Sequence, residues 1–137
     1  MRAVLDPNVI ISGVLSTQGA PARLLRAWRE GRFEVVVSDQ LLAELGRVLA
    51  YPKLRKLVSE TDAKALVAWV AASALNTDDP EPHPAIRSND PADDYLIALA
   101  AAHSAALVSG DRHLLDLRDR IPVCNPAEFL DLLGTTS

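Results

Sequence analysis

The sequence predicts an α/β domain organised around a parallel sheet, and three observations lead to this prediction. Short runs at residues 3–5, 33–37 and 105–108, which are apolar except for Glu34, are separated by segments whose apolar residues repeat with helical spacing. Runs without alternating polar residues are typical of strands that helices cover on both faces, as in parallel sheets. Two of these runs lead into an aspartate, Asp6 and Asp111, at the edge where α/β sheets bind ligands.

The first half of the chain is predicted to alternate strands and helices. Residues 2–5 form a strand that ends at Asp6, and a loop at 16–21 precedes a helix that Pro21 opens and that runs to about residue 30. Residues 33–37 form the second strand, and Ser38 caps a helix over 39–50, which Pro52 closes. A third helix is expected at about 61–74, with its core residues at Leu66, Val67, Trp69 and Val70.

The second half begins with a loop at 76–89 that is rich in proline and acidic residues. Asp90 and Pro91 suit the cap and first position of a helix that reaches residue 103, and Asp93 and Asp94 fall in its first turn. A strand at 105–109, a short helix at 111–117, an edge strand at 121–124 and a final helix capped by Asn125 complete the prediction.

Length and composition indicate one domain spanning residues 1–137. A chain of 137 residues can bury roughly two thirds of its unfolded surface. The single cysteine, Cys124, excludes a disulfide framework and a thiolate zinc cluster. There is no signal-peptide pattern and no apolar run near the roughly 20 residues that span a bilayer. We therefore expect a soluble, cytoplasmic protein without a membrane partner.

The charges are unevenly distributed along the chain. The formal net charge is −4, but residues 21–57 contain eight Lys or Arg against four acids, whereas residues 58–137 contain five against thirteen. A basic region beside an acidic cluster suits an enzyme that acts on phosphodiesters, and solvated helix surfaces explain the same charges equally well. The candidates for contacting a nucleic-acid backbone are Arg23, Arg26, Arg47, Lys53, Arg55 and Lys56.

The acidic residues define the candidate site. If the strands before Asp6 and Asp111 are adjacent and parallel, both carboxylates lie at one sheet edge, and the helix start near Asp93 can return to it. Like charges so close are tolerated when a divalent cation lies between them. Carboxylate ligands without cysteine or paired histidines favour Mg²⁺ or Mn²⁺ over zinc.

Glu44 and the acids between residues 90 and 94 also have simpler explanations. Glu44 borders the apolar face of its helix, and its spacing favours a surface pair with Arg47, three residues later. The cluster from Asp90 to Asp94 is explained by helix capping alone.

These motifs together resemble the PIN-domain nucleases. The resemblance rests on the segment 4–9, on a helix with Glu44, on the segment 90–94 leading into an Ala/Leu-rich helix, on the segment 108–111 and on the ending at 125–130. It covers essentially the whole chain, and the most similar subgroup is the VapC-like toxins of bacterial and archaeal toxin–antitoxin systems. The resemblance implies a three-layer α/β/α fold with a central parallel sheet of four to five strands.

The resemblance also implies an activity and a set of site residues. It identifies a metal-dependent endoribonuclease in which Asp6, Glu44, Asp93 and Asp111 hold Mg²⁺ or Mn²⁺, with Asp90 and Asp94 as possible accessory ligands. It implies an RNA substrate, a small antitoxin protein and a homodimer. One departure is that Pro7 replaces the Thr or Ser that the family commonly has after the first aspartate; proline lacks both a hydroxyl and a backbone donor.

Two other functions remain as alternatives. The first is a catalytically impaired PIN-like module that binds RNA or an antitoxin, because Pro7 alters the site. The second is a phosphotransfer enzyme or receiver domain that uses Asp6 as nucleophile. This alternative is disfavoured because Asn8 occupies the position at which haloacid-dehalogenase-like phosphatases have a second aspartate.

Overall fold

The computed structural model describes residues 1–80 and 93–135, which contain five strands and eight helices. The strands are β1 (Arg2–Leu5), β2 (Glu34–Val37), β3 (Leu75–Asn76), β4 (Ala106–Val108) and β5 (Val123–Cys124). The helices are α1 (Pro7–Leu15), α2 (Ala20–Arg29), α3 (Asp39–Leu49), α4 (Pro52–Arg55), α5 (Glu60–Ser73), α6 (Asp94–Ala102), α7 (Arg112–Leu115) and α8 (Pro126–Thr135).

The strands form one parallel sheet in the order β3-β2-β1-β4-β5. Strand β1 lies at its centre, with Ala3 opposite Ala106 and Leu5 opposite Val108 on β4. The fold is a three-layer α/β/α domain with a five-stranded sheet, so the predicted fold class is confirmed. The predicted neighbours β1 and β4 are adjacent and parallel, so their carboxyl ends meet at one edge.

The order of the strands creates a crevice above β1 and β4. The chain leaves β1 towards β2 and β3 on one side, and leaves β4 towards β5 on the other. Because parallel crossovers are right-handed, the connecting helices cover opposite faces of the sheet on the two sides. Ligands of open α/β sheets bind where the order of the strands reverses, in the crevice outside their carboxyl ends. That position lies between the ends of β1 and β4.

The core fixes the central strand. Ala3, Val4 and Leu5 are all completely buried, as expected for a strand covered by helices on both faces. Burying a side chain the size of Leu5 contributes about 1.5–3 kcal/mol. Phe129 of α8 packs against Phe33 with 5.0 Å between ring centroids, which fastens the last helix to the entrance of β2. The strand that leads to Asp6 is therefore anchored in the core.

The structure differs from the predicted elements at four places. Helix α1 begins directly after Asp6, a segment for which no helix was predicted, and Pro52 begins α4 instead of ending the local structure. Residues 75–76, expected within or beside a loop, add an edge strand. Of the predicted core of α5, only Val70 is fully buried.

Two further predictions concern helix α6 and the membrane. The predicted cap at Asp90 and Pro91 lies outside the described residues, and the described helix begins at Asp94 with Asp93 as its cap residue. None of the described helices combines the length and the apolar character needed to cross a bilayer.

Candidate functional site

Asp6 joins the central strand to the first helix. Its backbone N–H donates to the carbonyl of Val108 on β4 over 2.9 Å, which continues the parallel ladder. Its Oδ1 accepts a hydrogen bond of 3.0 Å from the backbone N–H of Asn8 and thereby caps α1. Pro7 is the first residue of α1, a position whose backbone N–H would have no acceptor within the helix. Proline is therefore compatible with the backbone here and leaves Asp6 in place.

Ser109 connects the ends of the two central strands. Its side chain is completely buried, and its Oγ donates to Asp6 Oδ2 over 2.8 Å. The same oxygen accepts a hydrogen bond of 3.0 Å from the backbone N–H of Asp111. One hydroxyl therefore orients the carboxylate of Asp6 and positions the backbone of Asp111.

The Asp6 carboxylate is in an environment that disfavours its charge. Burial raises the pKa of Asp6 above its ordinary value, and the charges of Asp111 and Glu44 raise it further. The hydrogen bonds from Asn8 and Ser109 lower the pKa of Asp6, but by less than burial raises it. Among the described residues, no ion pair involves Asp6, so no arginine or lysine neutralises it.

Asp111 lies beside Asp6 and is more accessible. It is half-buried and caps the short helix α7, accepting a 2.9 Å hydrogen bond from the backbone N–H of His113 through Oδ1. Within the part of the chain that the structure describes, it also forms no ion pair. The predicted pair of strand-end aspartates is therefore at one edge, linked through Ser109.

Glu44 on α3 is held by a neighbouring arginine. Arg47 Nε donates to Glu44 Oε2 over 2.9 Å, and a second guanidinium nitrogen of Arg47 donates to Glu44 Oε1. Arg47 also contacts the ring and hydroxyl of Tyr51. The hydrogen bond from Arg47 lowers the pKa of Glu44. The surface pair favoured by the spacing is present, although Glu44 is close enough for its charge to act on Asp6.

Tyr95 connects the start of α6 to the acidic residues. Burial raises the pKa of Tyr95, and the nearby charges of Glu44, Asp6 and Asp93 raise it further, followed by that of Asp79. Its hydroxyl is buried and has no hydrogen-bond partner among the described residues. The amino end of α6, with Asp93 and the half-buried Asp94, therefore lies on the same side of the sheet as Asp6.

A third strand end also carries an acid. Asp79 follows β3 by a few residues, and its Oδ2 accepts a 3.1 Å hydrogen bond from the backbone N–H of Gln40 at the start of α3. This contact fastens the segment after β3 to the helix that carries Glu44. Acidic residues thus follow the carboxyl ends of β4, β1 and β3, at Asp111, Asp6 and Asp79.

The donor atoms at this edge suit a hard divalent cation. Asp6 supplies a buried carboxylate without a counter-charge among the described residues, and Asp111 supplies a second one nearby. Oxygen donors without thiolates or imidazoles are those that Mg²⁺ and Mn²⁺ prefer. Among residues 1–80 and 93–135, however, no three Asp, Glu, His or Cys side chains are grouped closely enough to hold a metal ion. Within the described residues, the candidates for a third carboxylate ligand are Glu44, which is bound to Arg47, and Asp93 at the amino end of α6.

A cleft opens on the α1 side of the two aspartates. Its volume is about 530 Å³, and its walls include both strand-end acids and polar residues of α1 and of the start of α8. Candidate ligands therefore have room beside Asp6 and Asp111.

Three residues of this edge were not predicted. Ser109 was assigned to a strand, and only its place two residues before Asp111 could have singled it out. Tyr95 has the spacing of an ordinary core residue of α6. Asp79 lies in an acidic loop that gives no indication of its contact with α3.

Comparison with known proteins assigns the chain to a family. A family model described as PIN domain matches residues 2–113. An uncharacterized protein of Methanocaldococcus jannaschii is 28% identical, in an alignment that covers 96% of this chain and 90% of the relative.

Solved structures share the fold. The structure of VapBC2 from Rickettsia felis, bound to a DNA fragment from the VapBC2 promoter, matches with a TM-score of 0.62 at 16% identity. FitAcB from Neisseria gonorrhoeae matches with a TM-score of 0.57 at 25% identity. Each match covers 91% of this chain and 98% of the other chain.

Proposed function

Because the chain belongs to the PIN domain family, whose members are generally nucleases that use divalent metal ions, we propose that it is a Mg²⁺- or Mn²⁺-dependent endoribonuclease. We propose further that it acts as the toxin of a toxin–antitoxin pair. The observation that carries the proposal is Asp6, a buried carboxylate beside Asp111 at the reversal point of the sheet, with no cationic side chain among the described residues to neutralise it.

The four acids have distinct parts in this proposal. Asp6 and Asp111 provide the fixed side of the metal site, because the sheet and Ser109 hold them. Asp93 contributes from the amino end of α6, and Glu44 contributes once its bond to Arg47 opens. When bound, the cation activates water for attack and neutralises the charge that develops on the phosphate. Asp90 and Asp94 remain candidate accessory ligands, of which Asp90 lies outside the described residues.

The proposed partners follow from the resemblance to PIN-family toxins. They are an RNA substrate, a small antitoxin protein and a second copy of the chain, in the cytoplasm. The likeness in fold to VapBC2 and FitAcB supports a protein partner. Basic side chains on α2 and α4 are available for the RNA backbone, and Arg47 on α3 joins them when its bond to Glu44 opens.

The test is incubation of the purified protein with mixed RNA in Mg²⁺, in Mn²⁺ and in EDTA. We expect cleavage in either metal and none in EDTA. Asp6→Asn and Asp93→Asn should each reduce the cleavage rate at least about 100-fold while the circular dichroism spectrum stays unchanged. Asp131→Asn, which removes an exposed acid of α8, is the matched control and should cleave like the wild type. Equal cleavage in EDTA and Mg²⁺ would contradict the proposal.

A second candidate is a non-catalytic PIN module that binds RNA or an antitoxin. It is favoured by the bond between Glu44 and Arg47 and by the lack of a three-residue metal group within the described residues. RNA binding that persists in EDTA, with no cleavage in any metal, would select this candidate.

A further inference from the structure

We propose that the cleft beside Asp6 and Asp111 is a nucleobase subsite, in which Asn8, Ser12 and Asn125 recognise one base of a single-stranded RNA next to the phosphodiester that is cut. This inference rests on the proposed ribonuclease function, because it assigns the part of the same substrate that this cleft receives.

The cleft has the position and the size for one base. Asn8 and Ser12 are four residues apart on α1 and therefore lie on one face of that helix, and Asn125, directly before α8, also lines the cleft. The volume of about 530 Å³ falls within the roughly 300–1,000 Å³ that is typical of small-molecule sites.

The polar groups of the cleft have unused hydrogen-bonding capacity. The side chains of Asn8 and Ser12 are exposed and form no hydrogen bond with any described residue. Asn125 uses its Oδ1 to accept a 2.8 Å hydrogen bond from the backbone N–H of Glu128, and its side-chain amide N–H groups have no partner among the described residues. Together these groups offer both donors and acceptors. Base edges are recognised by such amides and hydroxyls.

The charge of the cleft argues for a base and against a phosphate. No lysine or arginine lines it, and its charged residues are the two aspartates. A phosphate placed there would face like charge, whereas a neutral base would not. The half-buried Pro21 and the exposed Ala127 add apolar surface against which a planar ring can pack.

The cleft is continuous with the candidate metal site, because Asp6 and Asp111 belong to both. A phosphate held by a cation at these acids would place a neighbouring nucleotide at the mouth of the cleft. The base in the cleft would then determine where along the RNA the chain is cut.

The test measures base preference in EDTA, where metal-dependent cleavage does not occur. Dissociation constants are determined by fluorescence anisotropy for fluorescein-labelled hexamers of A, C, G and U. We expect the wild type to bind one hexamer about 5- to 100-fold more tightly than the least favoured one. The double variant Asn8→Ala/Asn125→Ser should bind all four within about twofold.

The variants are chosen to preserve the fold. Serine at position 125 still offers an oxygen to the N–H of Glu128 but lacks the amide. Gln18→Ala, which removes an exposed amide in the loop before α2, is the control and should keep the wild-type preference. Ser12→Ala should reduce the preference less than the double variant, because it removes a single hydroxyl.

The outcomes separate this inference from the proposed function. A wild type that shows no base preference, or a double variant that keeps the preference, overturns the subsite even if Mg²⁺-dependent cleavage is observed. A base preference that the double variant loses supports the subsite, even if no cleavage is detected and the nuclease proposal fails.

Discussion

Asp6 and Glu44 are both candidate metal ligands, but their surroundings differ. Asp6 is 5% exposed, is held by Asn8 and Ser109, and has no basic partner among the described residues. Glu44 lies on a helix with 32% of its side chain exposed and is bound by Arg47 through both carboxylate oxygens. The protein thus stabilises one carboxylate with neutral hydrogen bonds and the other with an opposite charge.

This difference indicates which acid depends on a cation. An exposed ion pair contributes little to stability and can open at small cost. A buried carboxylate that only neutral groups contact keeps an unfavourable charge until it is protonated or binds a cation. We therefore infer that Asp6 anchors the metal site and that Glu44 is an adjustable ligand for which Arg47 and the metal compete.

Among the residues that contact the two acids without binding the metal themselves, the largest effect is expected at Ser109, which supports Asp6. Ser109→Ala should lower the rate of RNA cleavage about 10- to 100-fold, because residues that orient metal ligands typically have effects of this size. It should also reduce the free energy of unfolding by about 1–3 kcal/mol, since the buried carboxylate of Asp6 loses a donor.

Single-turnover cleavage assays and urea denaturation measure the two effects of Ser109→Ala. Ser109→Thr keeps the hydroxyl and is the control, with most of the activity retained. Full activity in Ser109→Ala would show that the hydroxyl does not position Asp6 for the reaction.

A smaller effect is expected at Arg47, on the adjustable side. Arg47→Gln should tighten Mn²⁺ binding up to about fivefold, because Glu44 no longer has to leave an ion pair. Titration calorimetry provides the measurement. Arg26→Gln, on α2, removes an arginine that makes no contact with Glu44 and should leave the affinity unchanged. Weaker Mn²⁺ binding in Arg47→Gln would mean that Arg47 positions Glu44 for the metal.

A third effect concerns the dependence of stability on pH. Because burial raises the pKa of Asp6 above 3.8, the folded chain binds this proton more tightly than the unfolded chain. The resulting stability is fully present below pH 3.8 and is lost as the pH rises through the higher folded-state pKa. Asp6→Asn has no such proton, so its stability relative to the wild type should increase as the pH rises.

Thermal unfolding of Asp6→Asn and wild type, without metal, at several values between about pH 4 and pH 7 tests this sign. Asp131→Asn again serves as the control, since it is exposed and should parallel the wild type. A relative stability that falls with pH would contradict the assigned direction.

The smallest effect is expected at Cys124, on the edge strand β5. Burial raises the pKa of the Cys124 thiol to about 11, with a further contribution from Glu128. The thiolate is therefore scarce at neutral pH, and the folded protein should react with iodoacetamide much more slowly than the urea-unfolded protein. Equal reaction rates of the folded and unfolded protein, measured by mass spectrometry, would show that the Cys124 thiol is accessible and that its pKa is not raised.

The sequence contained enough to predict the sheet and the two strand-end acids. The uninterrupted apolar run at residues 3–5 and the run before Asp111 have one interpretation, because strands buried on both faces leave no alternation. Their adjacency was a condition that parallel connections favoured, and the pairing of β1 with β4 meets it. The capping role of Asn125 was also predictable, and its reciprocal hydrogen bonds with Glu128 confirm it.

Other features depend on tertiary contacts that spacing does not reveal. Helix α1 contains Val9, Ile10 and Ile11, whose branched side chains disfavour a helix prediction, and packing against the core decides in its favour. Strand β3 is two residues long and forms because β2 offers an unpaired edge. The bond between Glu44 and Arg47 agrees with the i,i+3 spacing, but the distance from Glu44 to Asp6 is set only by folding.

The most direct test of a metal site at the ends of β1 and β4 is titration calorimetry of Mn²⁺ binding to the wild type, Asp6→Asn and Asp111→Asn. We predict one or two sites in the wild type and a loss of affinity of at least about tenfold in each variant, with the Asp131→Asn control unchanged. A wild type that binds no Mn²⁺, or variants that bind it as tightly as the wild type, would contradict the claim that the acids at the ends of β1 and β4 form a metal site.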